Sequence, residues 1–254
     1  MPTSRAPSAI HLRRWWAGLC LALTLAAVFV LGEFTATKRI FPFHELQRAK
    51  HWLFGQPVPD DATLVTTPYW RDRQTHFADL HGTARNVMLG DSLTDGGEWS
   101  ELFPDHQVAN RGINGDTTYG LRRRLSAVVA LRPAKVFILV GHNDFQLNRS
   151  HDDIWRDYVQ VLDTLKSAGI TPVIQSTLLT APKEPAEEAI NQHIQWLNGQ
   201  LATLATERGI AFVDLNQTLS ANGVLRPEVT NDGVHLNGRG YRLWKQAILP
   251  LMAS

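Results

Sequence analysis

Residues 135–144 read KVFILVGHND, an apolar run that ends at a glycine and continues into three polar side chains. A short apolar run bounded in this way and rich in β-branched and aromatic residues is typical of a strand buried on both faces of a parallel sheet. Four similar runs are present, at residues 86–89, 107–109, 171–179 and 211–215. These five runs are the predicted strands.

Helical patterns separate the predicted strands. They cover residues 117–131, 152–168, 187–208 and 237–252, and a further helix over residues 68–80 precedes the first strand. In residues 187–208 apolar side chains recur at helical spacing, and Gly209 follows as a C-terminal glycine. Strands that alternate with helices predict a three-layer α/β/α sandwich around a parallel sheet.

Polar clusters follow the predicted strands at the points where the strands end. They are Asp91-Ser92, Asn114-Gly115-Asp116 and His142-Asn143-Asp144, and the loop before the last helix adds Asp232 and His235. Ligands of open α/β sheets bind at the carboxyl ends of the strands. We therefore expect these four segments to meet at one edge of the sheet.

The residue types in the four segments are those of nucleophilic catalysis. A serine hydroxyl needs a base, and the base needs an orienting group, so Ser92, His235 and Asp232 form a candidate catalytic set. The oxyanion of a tetrahedral intermediate needs hydrogen-bond donors. The backbone N–H groups of Ser92 and Gly115 and the side-chain amide of Asn143 are the candidates.

Four sequence blocks carry a family resemblance: GDSL at 90–93, NRGINGDTT at 110–118, GHND at 141–144 and DGVH at 232–235. They resemble the signature blocks of SGNH hydrolases, the GDSL esterase/lipase family, over about residues 85–250. The resemblance implies a flavodoxin-like fold with a five-stranded parallel sheet. It also implies that Ser92, Gly115, Asn143 and His235 are the name-giving residues, with Asp232 completing the triad.

Within the family, the GINGDTT block and WSELFP at 99–104 are most similar to the branch of the platelet-activating-factor acetylhydrolase catalytic subunits. We expect hydrolysis of a carboxylic ester, with a short acyl or acetyl group, and no cofactor. Acyl transfer to a glycan by the same residues, lysophospholipid or thioester cleavage, and a non-catalytic binding protein stay open. No Gly-x-Ser-x-Gly elbow surrounds a candidate serine, which argues against the α/β-hydrolase fold.

The composition of the chain limits the classes of molecule that it is expected to bind. The net charge of +1 gives no electrostatic footprint for nucleic acid, so the expected partner is a small-molecule, glycan or lipid ester. Cys20 is the single cysteine, which excludes an intrachain disulfide and a cysteine-rich metal site. No pair of histidines shows metal-ligand spacing, and no metal is expected. The oligomeric state is not readable.

The N-terminal residues 15–32, WWAGLCLALTLAAVFVLG, contain no charge and follow Arg5, Arg13 and Arg14. As a helix they would rise about 27 Å, close to the thickness of a bilayer core. We favour a single-pass anchor in a bacterial inner membrane, with residues 1–14 cytoplasmic and the rest periplasmic. A cleaved signal peptide followed by secretion stays open. Residues 33–80 then form a juxtamembrane linker with a packing helix, and 81–254 the hydrolase domain.

Several residues outside the candidate set receive structural interpretations. Asp91 is expected to brace the serine turn, and Trp99 and Phe103 to lie in the core. The run Arg122-Arg123-Arg124 predicts a solvated helix face. His142 is left open between lining the site and facing solvent.

Overall fold

The computed structural model describes residues 67–80, 82–182 and 185–253. The predicted membrane anchor at residues 15–32 and most of the predicted linker lie outside these ranges. None of the helices within them combines the length and apolar character that a membrane crossing requires.

A five-stranded sheet in the order β2-β1-β3-β4-β5 forms the middle of the domain, and every neighbouring pair is parallel. The strands are β1 Asn86–Gly90, β2 Val108–Gly112, β3 Lys135–Leu139, β4 Thr171–Gln175 and β5 Ala211–Val213. Gly90 pairs with Gly112 on one side and with Leu139 on the other, so these three strands end at the same level. The predicted five-stranded parallel sheet is confirmed.

Helices connect the strands and cover the sheet. Their bounds are α1 Pro68–Asp79, α2 Ser92–Asp95, α3 Trp99–Leu102, α4 Thr118–Arg123, α5 Leu125–Val129, α6 His142–Gln146, α7 His151–Ser167, α8 Pro185–Arg208, α9 Asn216–Leu219 and α10 Gly238–Ile248. A short antiparallel pair, β6 Ser220–Ala221 and β7 Val224–Leu225, and two 3₁₀ turns, Pro227–Val229 and Leu249–Leu251, complete the described elements.

The two faces of the sheet bury two separate hydrophobic clusters, because neighbouring residues of a strand point to opposite faces. Val87 and Leu89 of β1 belong to the cluster that packs against α4, α5, α7 and α8. Met88 of the same strand belongs to the cluster with Trp99 of α3 and Trp244 of α10. The result is the predicted three-layer sandwich, with Trp99 and Phe103 in its core.

The predicted strand over residues 171–179 ends four residues early, at Gln175. The following residues are buried, as in a strand, and the N–H of Ser176 still donates to the carbonyl of Val213 in β5. From Thr177 onward, however, N–H groups of this segment bond to asparagine side chains. Thr177 N–H donates to Asn198 Oδ1 at 2.8 Å, and Thr180 N–H donates to Asn191 Oδ1 at 2.8 Å. Side-chain amides therefore replace the strand ladder in this loop.

The predicted helix over residues 117–131 is broken at Arg124, which separates α4 from α5. The prediction of a solvated arginine face is wrong for two of its three members. The side chain of Arg124 is 1% exposed, and that of Arg122 pairs with Asp157 at 2.9 Å. Arg123 alone among the three is exposed. The backbone breaks because the Arg124 guanidinium turns inward to the hydrogen-bond partners described below.

Candidate active site

The serine turn lies at the carboxyl end of β1. Asp91 caps α2, since its Oδ1 accepts the N–H of Leu93 at 3.1 Å, and Ser92 is the first residue of that short helix. Gly90 allows the strands to close here, because a Cβ at this position would lie 2.2 Å from the carbonyl oxygen of Leu139. The turn thus leaves Ser92 at the edge of the sheet, half-buried, and the predicted bracing role of Asp91 is confirmed.

The loop before α10 brings a histidine to this serine. His235 Nε2 lies 3.0 Å from Ser92 Oγ, and His235 Nδ1 lies 2.7 Å from Asp232 Oδ2. Because a carboxylate only accepts hydrogen bonds, Nδ1 carries the proton, and Nε2 is left to accept the proton of Ser92. The three residues predicted from the sequence form one hydrogen-bonded chain.

The loop also fixes the carboxylate of Asp232. Its Oδ1 accepts the backbone N–H groups of Val234 at 2.9 Å and of His235 at 2.8 Å. Burial opposes ionisation, but the hydrogen bond from the imidazole and these two N–H groups outweigh it and hold the pKa of Asp232 well below its usual range. Asp232 therefore stays ionised at every pH at which the protein would work.

Gly115 lies in a turn at the same edge, closed by the hydrogen bond from the N–H of Asp116 to the carbonyl of Ile113 at 3.1 Å. Its φ of +77° is in the left-handed region, which favours glycine. Asn143, near the start of α6, donates from Nδ2 to the carbonyl of Asp116 at 2.9 Å. The structure thus joins two of the predicted oxyanion donors to one loop, and the second N–H of the Asn143 amide is left for another acceptor.

A buried ion pair holds this loop against the strand ends. Arg124 Nε donates to Asp116 Oδ2 at 2.7 Å, while its other nitrogens donate to the carbonyls of Arg111 at 2.7 Å and Gly90 at 2.9 Å. Trp70 of α1 donates from Nε1 to the second carboxylate oxygen of Asp116 at 2.9 Å. The serine turn, the Gly115 loop and α1 are therefore connected through Asp116 and Arg124.

A second buried network supports α6. Asp144 accepts the Oγ1–H of Thr118 at 2.7 Å and pairs with Arg149 at 2.7 Å, and Arg149 also pairs with Asp157 of α7 at 2.7 Å. The side chains of all three charged residues are at most 2% exposed. The network fixes α6, and with it Asn143, to α4 and α7.

A cavity of about 350 Å³ opens beside the serine. Its lining residues are Tyr69, Ser92, Asp95, Gly96, Asn114 and His235. Sequence reasoning missed Tyr69, Asp95 and Gly96 as site residues, because no spacing rule links residue 69 to residue 95. The one local signal for Asp95 was its position three residues after Ser92, on the first turn of a helix.

The histidines outside the serine site are placed differently from the sequence-based expectation. His142 is 6% exposed, so it does not face solvent, and it is not among the residues that line the cavity. His151 and His193, from α7 and α8, do form a close pair, with Nε2 and Nδ1 3.0 Å apart. Within residues 67–80, 82–182 and 185–253, no group of three or more potential metal-ligating side chains is present.

Several solved structures resemble this chain. A GDSL-like lipase from Bacteroides thetaiotaomicron superposes with a TM-score of 0.62 at 28% identity, covering 71% of this chain and 95% of that one. A protein of Streptococcus pneumonia named after platelet activating factor superposes with a TM-score of 0.64 at 22% identity, covering 83% and 99%.

Two further similarities are more distant. An acetylxylan esterase from Geobacillus stearothermophilus has a TM-score of 0.53 at 19% identity and covers 67% of this chain and 94% of its own, a likeness of fold alone. A curated N-acylneuraminate cytidylyltransferase from Streptococcus agalactiae serotype V is 24% identical over 152 residues, and the match spans 35% of that protein's length. The sequence model of the GDSL-like Lipase/Acylhydrolase family matches residues 88–243. The chain therefore belongs to this family of ester hydrolases.

Proposed function

We propose that the protein hydrolyses carboxylic esters through an acyl-enzyme on Ser92. The observation that carries the proposal is the continuous chain from Ser92 Oγ to His235 Nε2 at 3.0 Å and from His235 Nδ1 to Asp232 Oδ2 at 2.7 Å. Such a chain supplies a nucleophile, a base and the group that orients the base.

In the first half-reaction, His235 Nε2 accepts the proton of Ser92 as Oγ attacks the ester carbonyl carbon. The oxyanion of the tetrahedral intermediate accepts hydrogen bonds from the N–H groups of Ser92 and Gly115 and from Asn143 Nδ2. When the intermediate collapses, the bond to the leaving oxygen breaks and His235 returns the proton to the alcohol. Asp232 stabilises the imidazolium throughout.

In the second half-reaction, water gives a proton to His235 and its oxygen attacks the acyl carbon on Ser92. When the second tetrahedral intermediate collapses, the bond from the acyl carbon to Ser92 Oγ breaks, His235 returns the proton to Oγ, and the carboxylic acid is released. Water has access to the base, since the side chains of His235 and Asp232 are 51% and 55% exposed. This exposure favours hydrolysis over acyl transfer to a glycan, a reaction that the same residues could perform if a sugar hydroxyl replaced the water.

The composition of the cavity favours a polar alcohol, and the proposal of a short acyl group follows the family branch that the GINGDTT block resembles. None of its six lining residues has an aliphatic side chain of leucine, isoleucine or valine type. An apolar alcohol would therefore bury little apolar surface there and would gain little of the roughly 0.8 kcal/mol that each buried methylene contributes. This argues for a sugar or a small polar alcohol as the leaving group.

The Ser92→Ala variant tests the assignment. We expect kcat for p-nitrophenyl acetate to fall by at least about 10³-fold, because the nucleophile is lost, while the urea unfolding midpoint stays within experimental error. Ser126→Ala, which truncates an exposed serine on α5, is the matched control and should keep full activity. Ester hydrolysis at the wild-type rate by Ser92→Ala would refute the proposal.

The acyl-chain length is tested with p-nitrophenyl esters of two to twelve carbons. We expect kcat/KM to be highest for the acetyl or propionyl ester and to decline with length. A rise in kcat/KM towards the twelve-carbon ester would contradict the short-acyl assignment. A glycan acceptor that becomes acylated faster than water is would instead favour acyl transfer.

We also propose that residues 15–32 anchor the enzyme in a bacterial inner membrane, with the catalytic domain in the periplasm. The support is the uncharged 18-residue stretch and the arginines before it. Expressed in full in a Gram-negative bacterium, the protein should stay in the membrane pellet after alkaline carbonate extraction. It should also be cleaved by protease added to spheroplasts. Recovery of a shortened chain in the soluble periplasmic fraction would show signal cleavage instead.

A further inference from the structure

One wall of the cavity comes from a helix that precedes the family match. Tyr69 belongs to α1, residues Pro68–Asp79, whereas the family match begins at residue 88. The Tyr69 side chain lines the same cavity as Ser92 and His235, and the residue is 46% exposed. Its ring is therefore accessible to a molecule that enters the cavity.

Helix α1 is held firmly in place. Trp70 and Phe77 are each 4% exposed and pack with the fully buried Ile113, which follows β2. Trp70 also makes the buried hydrogen bond to Asp116, the residue after Gly115. Tyr69 is therefore attached, through its chain neighbour, to the loop that carries a predicted oxyanion donor, and its position is fixed relative to the serine.

The hydroxyl of Tyr69 is fixed as well. It donates to Asp95 Oδ2 at 2.5 Å, and the same carboxylate accepts the backbone N–H of Asn114 at 3.2 Å. Arg73 of α1 lies 3.3 Å from the other oxygen of Asp95. The charge of Asp95 is thus offset by an arginine, so this wall is a poor site for a cation. What remains is an aromatic ring flanked by neutral hydrogen-bonding groups.

The position of the wall identifies which part of an ester it would contact. His235 returns the proton to the leaving alcohol, so the alcohol must lie beside His235. The cavity is lined by His235 and Tyr69 but not by Gly115 or Asn143, which are the groups proposed to face the carbonyl oxygen. The cavity is therefore on the alcohol side of the scissile bond.

We propose that Tyr69 and Asn114 form an alcohol-side subsite for a sugar ring, and that the substrate is a sugar bearing a short O-acyl group. The aromatic ring of Tyr69 would pack against the C–H groups of a pyranose. The amide of Asn114 and the carboxylate oxygens of Asp95 would form hydrogen bonds with the hydroxyl groups of the sugar. The inference rests on the proposed ester hydrolysis and adds to it the class of alcohol and the residue that selects it.

The test compares two acetyl esters that share the acyl group and differ in the alcohol. Methyl glucopyranoside tetraacetate presents a sugar ring, and glycerol triacetate presents an open chain. For Tyr69→Ala we expect KM for the sugar ester to rise about tenfold with kcat within about twofold, since the ring contributes binding and not chemistry. For glycerol triacetate, whose open chain offers no ring face to Tyr69, kcat/KM should fall at least about threefold less than for the sugar ester.

Two further variants separate recognition from structure. Tyr69→Phe keeps the ring and removes the hydrogen bond to Asp95, so KM for the sugar ester should stay within about threefold of wild type. Leu80→Ala truncates another exposed side chain, next to the end of α1, and should leave both esters unaffected. Urea unfolding of all variants checks that the fold is retained.

The opposing outcomes are distinct. Three results would each overturn the subsite. Tyr69→Ala could lose activity equally on both esters, it could leave KM for the sugar ester unchanged, or the wild-type enzyme could hydrolyse glycerol triacetate and not the sugar ester. Acetylcholine as the preferred ester, with its KM raised by Tyr69→Ala, would overturn it in favour of a cation site. Persistent activity in Ser92→Ala would defeat the proposed function itself, whereas its loss together with an unaffected Tyr69→Ala would defeat the subsite alone.

Discussion

Asp91, the residue before the proposed nucleophile, is a buried carboxyl group with an altered pKa. It is 1% exposed, its Oδ1 caps α2 through Leu93, and its Oδ2 has no hydrogen-bond partner among the described residues. Burial, supported by the nearby carboxylates of Asp116 and Asp144, raises the pKa of Asp91 to about 7, although the N–H of Leu93 acts in the opposite direction. The folded protein therefore holds a proton here that the unfolded chain loses near its usual pKa of about 3.9.

The sign of the linkage follows from this difference. Between about pH 4 and pH 7 the folded state binds more protons at Asp91 than the unfolded state does, so this group lowers stability as the pH rises through that range. Asp91→Asn keeps an oxygen to accept the Leu93 N–H and cannot ionise. We expect the free energy of unfolding of Asp91→Asn minus that of the wild type to be larger at pH 8 than at pH 5 in urea titrations, so that the variant is relatively more stable at the higher pH. Parallel pH profiles for the two proteins would contradict this prediction.

At the scale of the elements, Arg124 connects parts of the site that lie far apart in the chain. Its guanidinium contacts Asp116 and the carbonyl groups at the ends of β1 and β2, so it fixes the serine turn relative to the Gly115 loop. An ion pair of this kind contributes little against a hydrophobic replacement of both partners, but removal of one partner leaves a buried charge uncompensated.

Arg124→Met is expected to lower the free energy of unfolding by about 3–5 kcal/mol, because Asp116 then loses its charged partner in the interior. Activity at a temperature where the variant is still folded should also fall, since the ends of β1 and β2 lose a shared donor. Arg123→Met, at the adjacent exposed position that ends α4, is the matched control and should change stability by less than about 0.5 kcal/mol. Urea unfolding of both variants makes the comparison, and equal stabilities would contradict the prediction.

The elements also show where sequence reasoning succeeds. The runs at 86–89 and 135–140 were read as strands because strands buried on both faces are apolar throughout, and β1 and β3 lie there. The same rule predicts β4 four residues too long, because asparagine side chains distant in the sequence accept backbone N–H groups of the segment after Gln175. Arg124 was missed for a related reason: its partners lie 8, 13 and 34 residues away, and helical periodicity carries no information about them.

The sequence also predicts some residues of the candidate site and not others. Asp232 and His235 are three residues apart and interact within one loop, so local spacing was enough to pair them. The link to Ser92 followed from the general placement of ligands at the carboxyl edge of parallel strands. Tyr69 could not be found in this way, because its place beside Asp95 depends on how α1 docks through Trp70.

On the scale of the whole molecule, the carboxyl and amino edges of the sheet differ in what they hold. The candidate site occupies the carboxyl edge, and the C-terminal residues are fastened at the amino edge. Asn86, at the start of β1, donates to the carbonyls of His106 at 2.8 Å and Ala253 at 2.9 Å and accepts the N–H of Ala253 at 2.9 Å. Lys135 at the start of β3 donates to the carbonyl of Leu251 at 2.7 Å.

Asn86→Ala should therefore separate stability from activity. We expect the free energy of unfolding to fall by about 1–3 kcal/mol, because buried backbone groups lose their partners. The kcat for p-nitrophenyl acetate below the unfolding temperature should stay within about twofold, since Ser92 lies at the far edge. Asp105→Ala, exposed in the loop before β2, serves as the control for stability. A loss of kcat without a loss of stability would show that the two edges are coupled.

Helix α1 has a consequence for how this domain could diversify. It stands ahead of the residues by which the family is recognised, yet it supplies Tyr69 to the cavity and Trp70 to Asp116. The proposed chemistry resides in loops after residue 90, whereas the ring proposed to select the alcohol comes from the helix before them. Replacement of this single segment would therefore change the selectivity of an unchanged nucleophile, and a domain cut at residue 88 would lose both Tyr69 and Trp70.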